Sequence, residues 1–204
     1  MTTIGIVGAG NVGSALAGRL AASGQTVLLG VRDPSRAKDA PQGVRATAIS
    51  EAAAADVIFL AVPSSALEDA VRSLGDLSGT IVVDCTNPVG KGLTLASPPE
   101  GSNAQKIARL APGARVIKGF STFGAEFHAD PRLGSTIVDV PIAGDDADAK
   151  KIVREIGERA GFSVLDAGGL ANAHLLEAMA LLWIHFAMKG GHGREVAWKL
   201  LARG

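Results

Sequence analysis

The sequence predicts an α/β fold, in which a doubly wound parallel sheet is followed by a small C-terminal helical extension. Two observations predict it. Short apolar runs alternate with helical patterns along the first 168 residues, and from Leu170 the chain becomes a long apolar stretch. Parallel strands read as continuous apolar runs because helices cover both faces of their sheet. We therefore expect a sheet domain in residues 1–168 and a helical segment in residues 169–204.

Seven apolar runs are the predicted strands of the sheet. They span residues 4–7, 26–29, 57–62, 81–84, 116–118, 137–143 and 162–165. Helices are predicted at 11–22, after Pro63 and at 147–160. The last is entered through Asp145 and Asp146, since carboxylates cap free amide groups at a helix start and suit its positive dipole end. Residues 89–101 contain five glycines and prolines, which predict a loop.

Composition and charge narrow the function classes. The chain has 20 basic and 20 acidic residues, so no electrostatic attraction to nucleic acid or an anionic membrane is expected. The single Cys85 excludes an internal disulfide framework and fits a reducing compartment. No signal peptide pattern is present, and the most apolar stretch, 175–188, contains Glu177 and His185 and is too short to span a bilayer. We expect a soluble cytoplasmic protein.

The C-terminal segment predicts a partner. Residues 170–188 are apolar nearly all round, the sequence Lys-Gly-Gly-His-Gly interrupts them at 189–193, and a helix is predicted to resume at 194–203. A helix that is apolar on all sides needs partners on all sides, and the sheet covers only part of it. A second copy of the chain is the simplest cover, which predicts a homodimer. The alternative is a helix that lies across the sheet of its own monomer.

The sharpest motif is Gly8-Ala9-Gly10-Asn11-Val12-Gly13, directly after the first strand and at the start of the first helix. Its glycines suit a tight strand-to-helix turn, a close approach of pyrophosphate to the backbone, and the packing of the helix on the strand. The phosphates then meet free amide groups at the helix N-terminus. This context predicts a dinucleotide site of the Rossmann type.

The end of the second strand selects the dinucleotide. NAD sites carry a carboxylate there for the ribose hydroxyls, whereas the 2′-phosphate of NADP calls for arginine. Arg32 occupies this position, and Ser35 and Arg36 add a hydroxyl and a second cation. The sequence therefore predicts NADP(H), with Asp33 paired to a nearby arginine or capping the turn before Pro34. For Arg36 a solvated surface charge is the alternative.

Two further strand ends are expected to line the same cleft, because ligands in such sheets lie beyond the carboxyl ends of the strands. The first is Ala61-Val62-Pro63, where the proline starts a helix. The second is Asn87-Pro88, which follows a buried strand. The Asn87 amide suits a ribose or carboxamide group, and its alternative role is an Asx turn before Pro88.

The whole chain resembles the family of coenzyme F420-dependent NADP oxidoreductases, and is similar to the cytosolic oxidoreductase domain of six-transmembrane metalloreductases. Seven segments carry the resemblance: the glycine motif at 8–13, and residues 30–32, 61–63, 87–89, 118–122, 140–146 and 165–168. The resemblance implies a homodimer and hydride exchange between NADPH and a deazaflavin (F420) or flavin. One departure is Ser121, since archaeal members carry His and many bacterial members Asn at this position near the nicotinamide.

Ser121 and Thr122 follow a strand and are the candidate catalytic residues, as hydrogen-bond donors at the nicotinamide or acceptor edge; simple loop capping is the alternative. Hydride transfer mainly requires positioning and the exclusion of water, so no catalytic triad is needed. His174 and Glu177 are spaced for contact on one helix face, where most such pairs are structural. No metal-ligand spacing is present.

A non-enzymatic NADP(H)-binding module, or a reductase of another small substrate, is the alternative function.

Overall fold

The computed structural model describes residues 2–34 and 40–203. Within these residues the strands are β1 (Thr3–Val7), β2 (Thr26–Val31), β3 (Val44–Ala48), β4 (Val57–Leu60), β5 (Ile81–Asp84), β6 (Val89–Gly90), β7 (Thr94–Leu95), β8 (Arg115–Lys118), β9 (Arg132–Leu133), β10 (Thr136–Ile137), β11 (Asp139–Ile142) and β12 (Ser163–Asp166). The α-helices are α1 (Asn11–Ala22), α2 (Ile49–Ala52), α3 (Leu67–Leu74), α4 (Asn103–Leu110), α5 (Ala125–Ala129), α6 (Ala147–Arg159) and α7 (Ala173–Met188).

The central sheet has six strands in the order β3-β2-β1-β4-β5-β8, and every neighbouring pair is parallel. The chain proceeds outward from β1 in one direction and from β4 in the other, so the strand order reverses between β1 and β4. Loops that leave the carboxyl ends of strands on either side of such a reversal diverge and open a crevice. The predicted α/β fold is confirmed, and its topology places the crevice beside the glycine motif.

Two apolar cores lie on the two faces of this sheet. Leu16 and Leu20 of α1 and Phe120 belong to one core, while Leu67 of α3 and Ile107 of α4 belong to the other. Every residue of β4 and β5 is buried, as expected for strands that are covered on both faces. The two cores therefore hold the strands in place, and the strands in turn fix the loops that leave their carboxyl ends.

The remaining strands extend the fold beyond β8. Strands β11 and β12 are parallel, and an isolated bridge between Lys118 and Ala143 joins them to β8. Helix α6 connects them and begins as predicted, because the Asp146 side chain accepts a hydrogen bond from the Ala149 amide at 2.8 Å. Asp145 has a different role from the predicted one, since its carboxylate accepts from the amide of Leu170 at 2.8 Å.

The prediction of a helix at 194–203 is wrong. These residues form an irregular tail, which we call the C-terminal tail, and its backbone groups bond to the body of the protein. The Trp183 indole donates to the Val196 carbonyl at 2.5 Å, and the amide of Asp139 donates to the carbonyl of Trp198 at 3.1 Å. These partners replace the hydrogen bonds that a helix would make within itself.

Helix α7 is only partly buried. A 3₁₀ turn at Leu170–Asn172 leads into it, and together they form the one span of the described chain that is long and apolar enough to cross a membrane, with 33% of the span buried. Its exposed apolar side chains include Leu175, Leu182 and Phe186. Glu177 faces inward and is fully buried. The monomer thus leaves an apolar face of α7 uncovered.

Candidate functional site

The glycine motif forms the turn between β1 and α1, and packing explains two of its three glycines. Gly8 has a φ of +111°, and a methyl group there would collide with the carbonyl oxygen of Ala61. A methyl group on Gly13 would collide with the carbonyl oxygen of Gly8. Gly10 is different, because an added methyl group would meet nothing within 4 Å. The protein itself gives no steric reason for a glycine at this position, whereas a bound group above the turn supplies one.

The N-terminus of α1 is suited to an anion. Gly10 is the N-cap residue and supplies no side-chain cap, and the first turn contains no acidic residue. The amide groups at the start of this twelve-residue helix are therefore free to bind phosphate oxygens. The residues present thus fit the diphosphate of a dinucleotide.

Arg32 lies at the same edge of the sheet. The amide of Gly8 donates to the carbonyl of Gly30 at 3.2 Å, and β2 ends one residue later at Val31. Arg32 and Asp33 are both exposed there. Ser35 and Arg36, which the sequence also predicts for the 2′-phosphate, lie outside the described residues.

The strand ends predicted to line the cleft meet at this edge. Ala61, Val62 and Pro63 follow β4, and the Ala61 amide donates to the carbonyl of Val7 at 2.9 Å. Asn87 follows β5, and its side-chain amide donates to the carbonyl of Ser121 at 2.8 Å rather than closing an Asx turn. The Asn87 Oδ1 atom is buried without a partner in the described part of the chain. Pro88 is buried behind it.

A pocket of about 280 Å³ opens where these loops meet the C-terminal segment. The glycine turn contributes Asn11 and Val12 to its lining, and the sheet edge contributes Asn87 and Ser121. Residues 123–125, which follow that edge, and Ala180, Trp183 and Ile184 of α7 form the other side. Arg194 of the C-terminal tail completes the wall, with its guanidinium 5.4 Å from the Trp183 ring centre and paired with Glu126. The pocket thus joins a polar edge to an apolar wall.

Ser121 and Thr122 are both buried at this edge. Their hydroxyl oxygens, Ser121 Oγ and Thr122 Oγ1, have no hydrogen-bond partner among the described residues. The loop that carries them is held by its backbone, since the Trp198 indole donates to the Thr122 carbonyl at 3.1 Å. Unpaired buried hydroxyl groups are uncommon and call for an explanation, and a bound ligand supplies one.

Comparisons with known proteins give the family of the chain. The model of a family described as coenzyme F420-dependent NADP oxidoreductase matches residues 3–88. The F420-dependent NADP reductase of Methanothermobacter marburgensis is 31% identical over 203 residues, which cover 89% of this chain and 90% of that protein. The chain belongs to the family of F420-dependent NADP reductases. The protein is therefore an NADP-dependent oxidoreductase by family.

The chain covers different fractions of two further relatives. Metalloreductase STEAP3 of Rattus norvegicus is 36% identical over 181 residues, which are 87% of this chain but only 36% of the metalloreductase. The structure of a proposed F420-dependent NADP reductase from Arthrobacter sp. FB24 superimposes with a TM-score of 0.88 at 28% identity, covering 99% of this chain and all of that one. The chain thus spans about a third of the metalloreductase and the full length of the bacterial structure.

A buried ionic cluster lies beneath the candidate site of this chain, and the sequence analysis did not predict it. We define it as Asp84, Lys118 and Glu177, whose side chains are all fully buried. The Lys118 ammonium is 3.0 Å from Asp84 Oδ2 and 3.7 Å from Glu177 Oε1. Burial raises the pKa of Glu177 to about 7, although the Lys118 charge opposes this shift. The sequence does carry a signal for this cluster. Asp84 and Lys118 are charged residues that end two predicted strands, and Glu177 is a charged residue within the most apolar stretch of the chain.

The other reactive side chains do not form a second centre. His174 is exposed while Glu177 is buried, so the predicted pair of these two residues does not form. His128 is buried with its ring nitrogens 2.9 Å from the carbonyl oxygens of Phe120 and Gly124, and burial lowers its pKa. Burial raises the pKa of the Cys85 thiol well above its usual range. The part of the chain that is described contains no group of three potential metal ligands.

Proposed function

We propose that this chain binds NADPH along the carboxyl edge of the sheet, from the end of β2 across β1 and β4 to the end of β5. The diphosphate lies on the free amide groups of α1 above Gly10, and the Arg32 guanidinium binds the 2′-phosphate. The nicotinamide then extends past Ala61–Pro63 toward Asn87 and the pocket. This placement gives a partner to Asn87 Oδ1 and Ser121 Oγ, which have none among the described residues and belong to residues that line the pocket.

We propose further that the protein transfers a hydride from NADPH to a deazaflavin such as F420, or to a flavin-like acceptor. The observation that carries this proposal is the pocket itself, because the glycine turn and the apolar wall of α7 line one and the same space. A flat ring system can pack on Ala180, Trp183 and Ile184 while the nicotinamide lies on the polar side. The names of the reductase relatives support the same chemistry.

The protein residues contribute binding, orientation and exclusion of water in this reaction. NADPH supplies the hydride when bound, and the acceptor ring takes it up directly. The unpaired Asn87 Oδ1 accepts from the nicotinamide carboxamide, and the Ser121 and Thr122 hydroxyls donate to the edge of the carboxamide or the acceptor. A covalent intermediate on the protein is not required, which agrees with a buried Cys85 whose thiol stays protonated.

The test is NADPH oxidation with a panel of F420, FMN, FAD and quinones. We expect turnover with F420 or a flavin, no effect of chelators, and a primary isotope effect with NADPH deuterated at the transferred position when hydride transfer limits the rate. Tight NADPH binding without turnover on any acceptor would contradict the enzymatic proposal. That outcome would favour an NADP(H)-binding module instead.

A further inference from the structure

We propose that Lys118 is a positioning residue for hydride transfer, which keeps the Asn87 loop and the α7 wall of the pocket in fixed relation to each other. The inference rests on the proposed function, because it concerns the place where the nicotinamide and the acceptor meet. Lys118 is fully buried and does not line the pocket. It therefore acts through the residues that it holds.

The first set of contacts fixes the loop after β5. The Lys118 ammonium donates to Asp84 Oδ2 at 3.0 Å and to the carbonyl oxygen of Thr86. Asp84 Oδ1 in turn accepts from the amide of Thr86 at 2.8 Å and from its hydroxyl at 2.7 Å. Both backbone polar groups of Thr86 are thus held by one ion pair. Asn87 is the next residue in this loop. The ion pair therefore sets the direction in which the Asn87 side chain points.

The second set of contacts fixes the wall. Glu177 Oε1 lies 3.7 Å from the Lys118 ammonium and accepts from the amide of Asn103 at 2.8 Å. Ala180 and Ile184, which line the pocket, lie three and seven residues further along α7. Residues at this spacing share one face of a helix. The contact at Glu177 therefore anchors the same face of α7 that forms the wall.

A third set of contacts includes the loop after β4. The Asn103 side-chain amide donates to the hydroxyl oxygens of Thr86 at 2.8 Å and Ser64 at 3.0 Å, and Ser64 begins the 3₁₀ turn after that strand. Lys118 itself ends β8, three residues before Ser121. One buried network thus connects the exits of three neighbouring strands with α7.

The composition of the cluster favours positioning over stabilisation. Two carboxyl groups and one ammonium are costly to bury, and apolar residues of similar volume often give equal or greater stability at such places. A buried polar network does, however, specify one arrangement of its members where their hydrogen bonds are made, and in this cluster the oxygen without a partner among the described residues is Glu177 Oε2. Arg115 gives the contrast on the same strand, since its bidentate pair with Asp146, at 2.6 and 2.8 Å, reaches only the start of α6.

The central experiment compares Lys118→Met with the control Arg115→Met, which removes an ion pair from the opposite end of β8. NADPH affinity is measured by titration and hydride transfer by single-turnover stopped flow with the acceptor found above. For Lys118→Met we expect a transfer rate about 10- to 100-fold lower, because small displacements of reacting groups have effects of this size. We expect NADPH affinity to change less than about threefold, since the phosphates supply most of the binding. Arg115→Met should leave the transfer rate unchanged.

A second variant protects the test against a folding defect. If Lys118→Met does not fold, the pair Lys118→Met/Asp84→Asn removes both opposite charges and keeps an oxygen that can accept from Thr86. Circular dichroism and thermal melts establish that each variant is folded. A folded variant that transfers hydride at the wild-type rate would overturn the proposal. Parallel losses of affinity and rate would also overturn it, because they would show a general structural role.

The emission anisotropy of the bound nicotinamide ring provides a readout that needs no acceptor. We expect wild-type protein and Arg115→Met to give the same high anisotropy for bound NADPH, because the ring is held at the pocket. The Lys118 variants should bind NADPH with lower anisotropy, because the ring then moves more freely. Unchanged anisotropy would contradict the positioning role. If the wild type turns over no acceptor, the proposed function fails while this comparison still tests Lys118.

Discussion

At the scale of single residues, we predict that the choice between NADPH and NADH depends on Arg32. Its guanidinium lies at the end of β2, where a 2′-phosphate is expected. A charge-assisted contact of this kind contributes roughly 1.5–3 kcal/mol, so Arg32→Ala should weaken NADPH binding by about one to two orders of magnitude. NADH, which lacks the phosphate, should bind nearly as before. Titration of both cofactors measures the effect.

The control for this prediction is Arg72→Ala, which removes an exposed arginine that pairs with Glu68 on α3. It should leave both affinities unchanged. Equal losses for NADPH and NADH in Arg32→Ala would show that the arginine does not contact the 2′-phosphate.

Ser121 lines the pocket, and its buried hydroxyl has no hydrogen-bond partner among the described residues. Its unpaired hydroxyl should orient the nicotinamide or the acceptor, so Ser121→Ala should lower turnover about tenfold while NADPH affinity changes little. Steady-state kinetics and NADPH titration separate the two effects. Ser73→Ala, whose hydroxyl donates to the Ala70 carbonyl within its own helix, is the matched control. A loss of affinity without a loss of turnover would contradict the proposed role.

At the scale of elements, α7 carries a proton-dependent contribution to stability through Glu177. Its pKa is raised from 4.5 to about 7 by burial, so the folded protein binds a proton more tightly than the unfolded chain. This contribution is fully present below the ordinary pKa and is lost as the pH rises through the folded value. The loss is about 3 kcal/mol, given 1.36 kcal/mol for each pKa unit.

Glu177→Gln should remove this dependence, because glutamine keeps the acceptor for the Asn103 amide and does not titrate. Urea denaturation at pH 5 to 8 measures the free energy of unfolding. The wild type should lose stability relative to Glu177→Gln as the pH rises, whereas the exposed Glu155→Gln of α6 should follow the wild type. A constant difference between wild type and Glu177→Gln across this range would show that Glu177 does not titrate there.

Several elements could be predicted from the sequence, for identifiable physical reasons. Helix α1 was predicted at its observed bounds because the glycine turn fixes its start and Gly24 follows its end. Strand β3 was missed, since Arg45 and Thr47 alternate with its apolar residues at the edge of the sheet. The C-terminal tail was predicted as a helix because its conformation depends on Trp183 and Asp139, which lie elsewhere in the chain.

The candidate site, like the fold, has parts that could be predicted from the sequence and parts that could not. The glycine turn could be predicted because its residues are consecutive, and its chemistry follows from local geometry. The contact of Asn87 with the Ser121 carbonyl and the buried ionic cluster could not, because their members are more than thirty residues apart. Local patterns do not show which distant residues the sheet brings together.

At the scale of the whole molecule, we propose that a second copy of the chain covers the exposed apolar face of α7. Leu182 is 45% exposed and Phe186 37% exposed in the monomer, and a continuous apolar patch of this kind is a liability in water. Light scattering at micromolar concentration should give twice the 20.7 kDa chain mass.

Leu182→Lys should shift the protein to a monomer, because it buries an unpaired charge in the interface. Leu133→Lys is the control, since Leu133 is a similarly exposed leucine on β9. A monomeric wild type would show that the α7 face stays uncovered in solution.

Gly10 has a consequence for how natural variation in this protein should be interpreted. Alanine at this position meets open space and keeps an ordinary φ of −76°, so it costs the fold at most about 1 kcal/mol of helix capping. In the proposed binding mode, the same methyl group would occupy the place of the diphosphate. A Gly10→Ala allele would therefore yield normal protein levels and pass a screen based on abundance or melting temperature, while the encoded enzyme would be inactive. Substitutions at Gly8 and Gly13, in contrast, would be detected as folding defects.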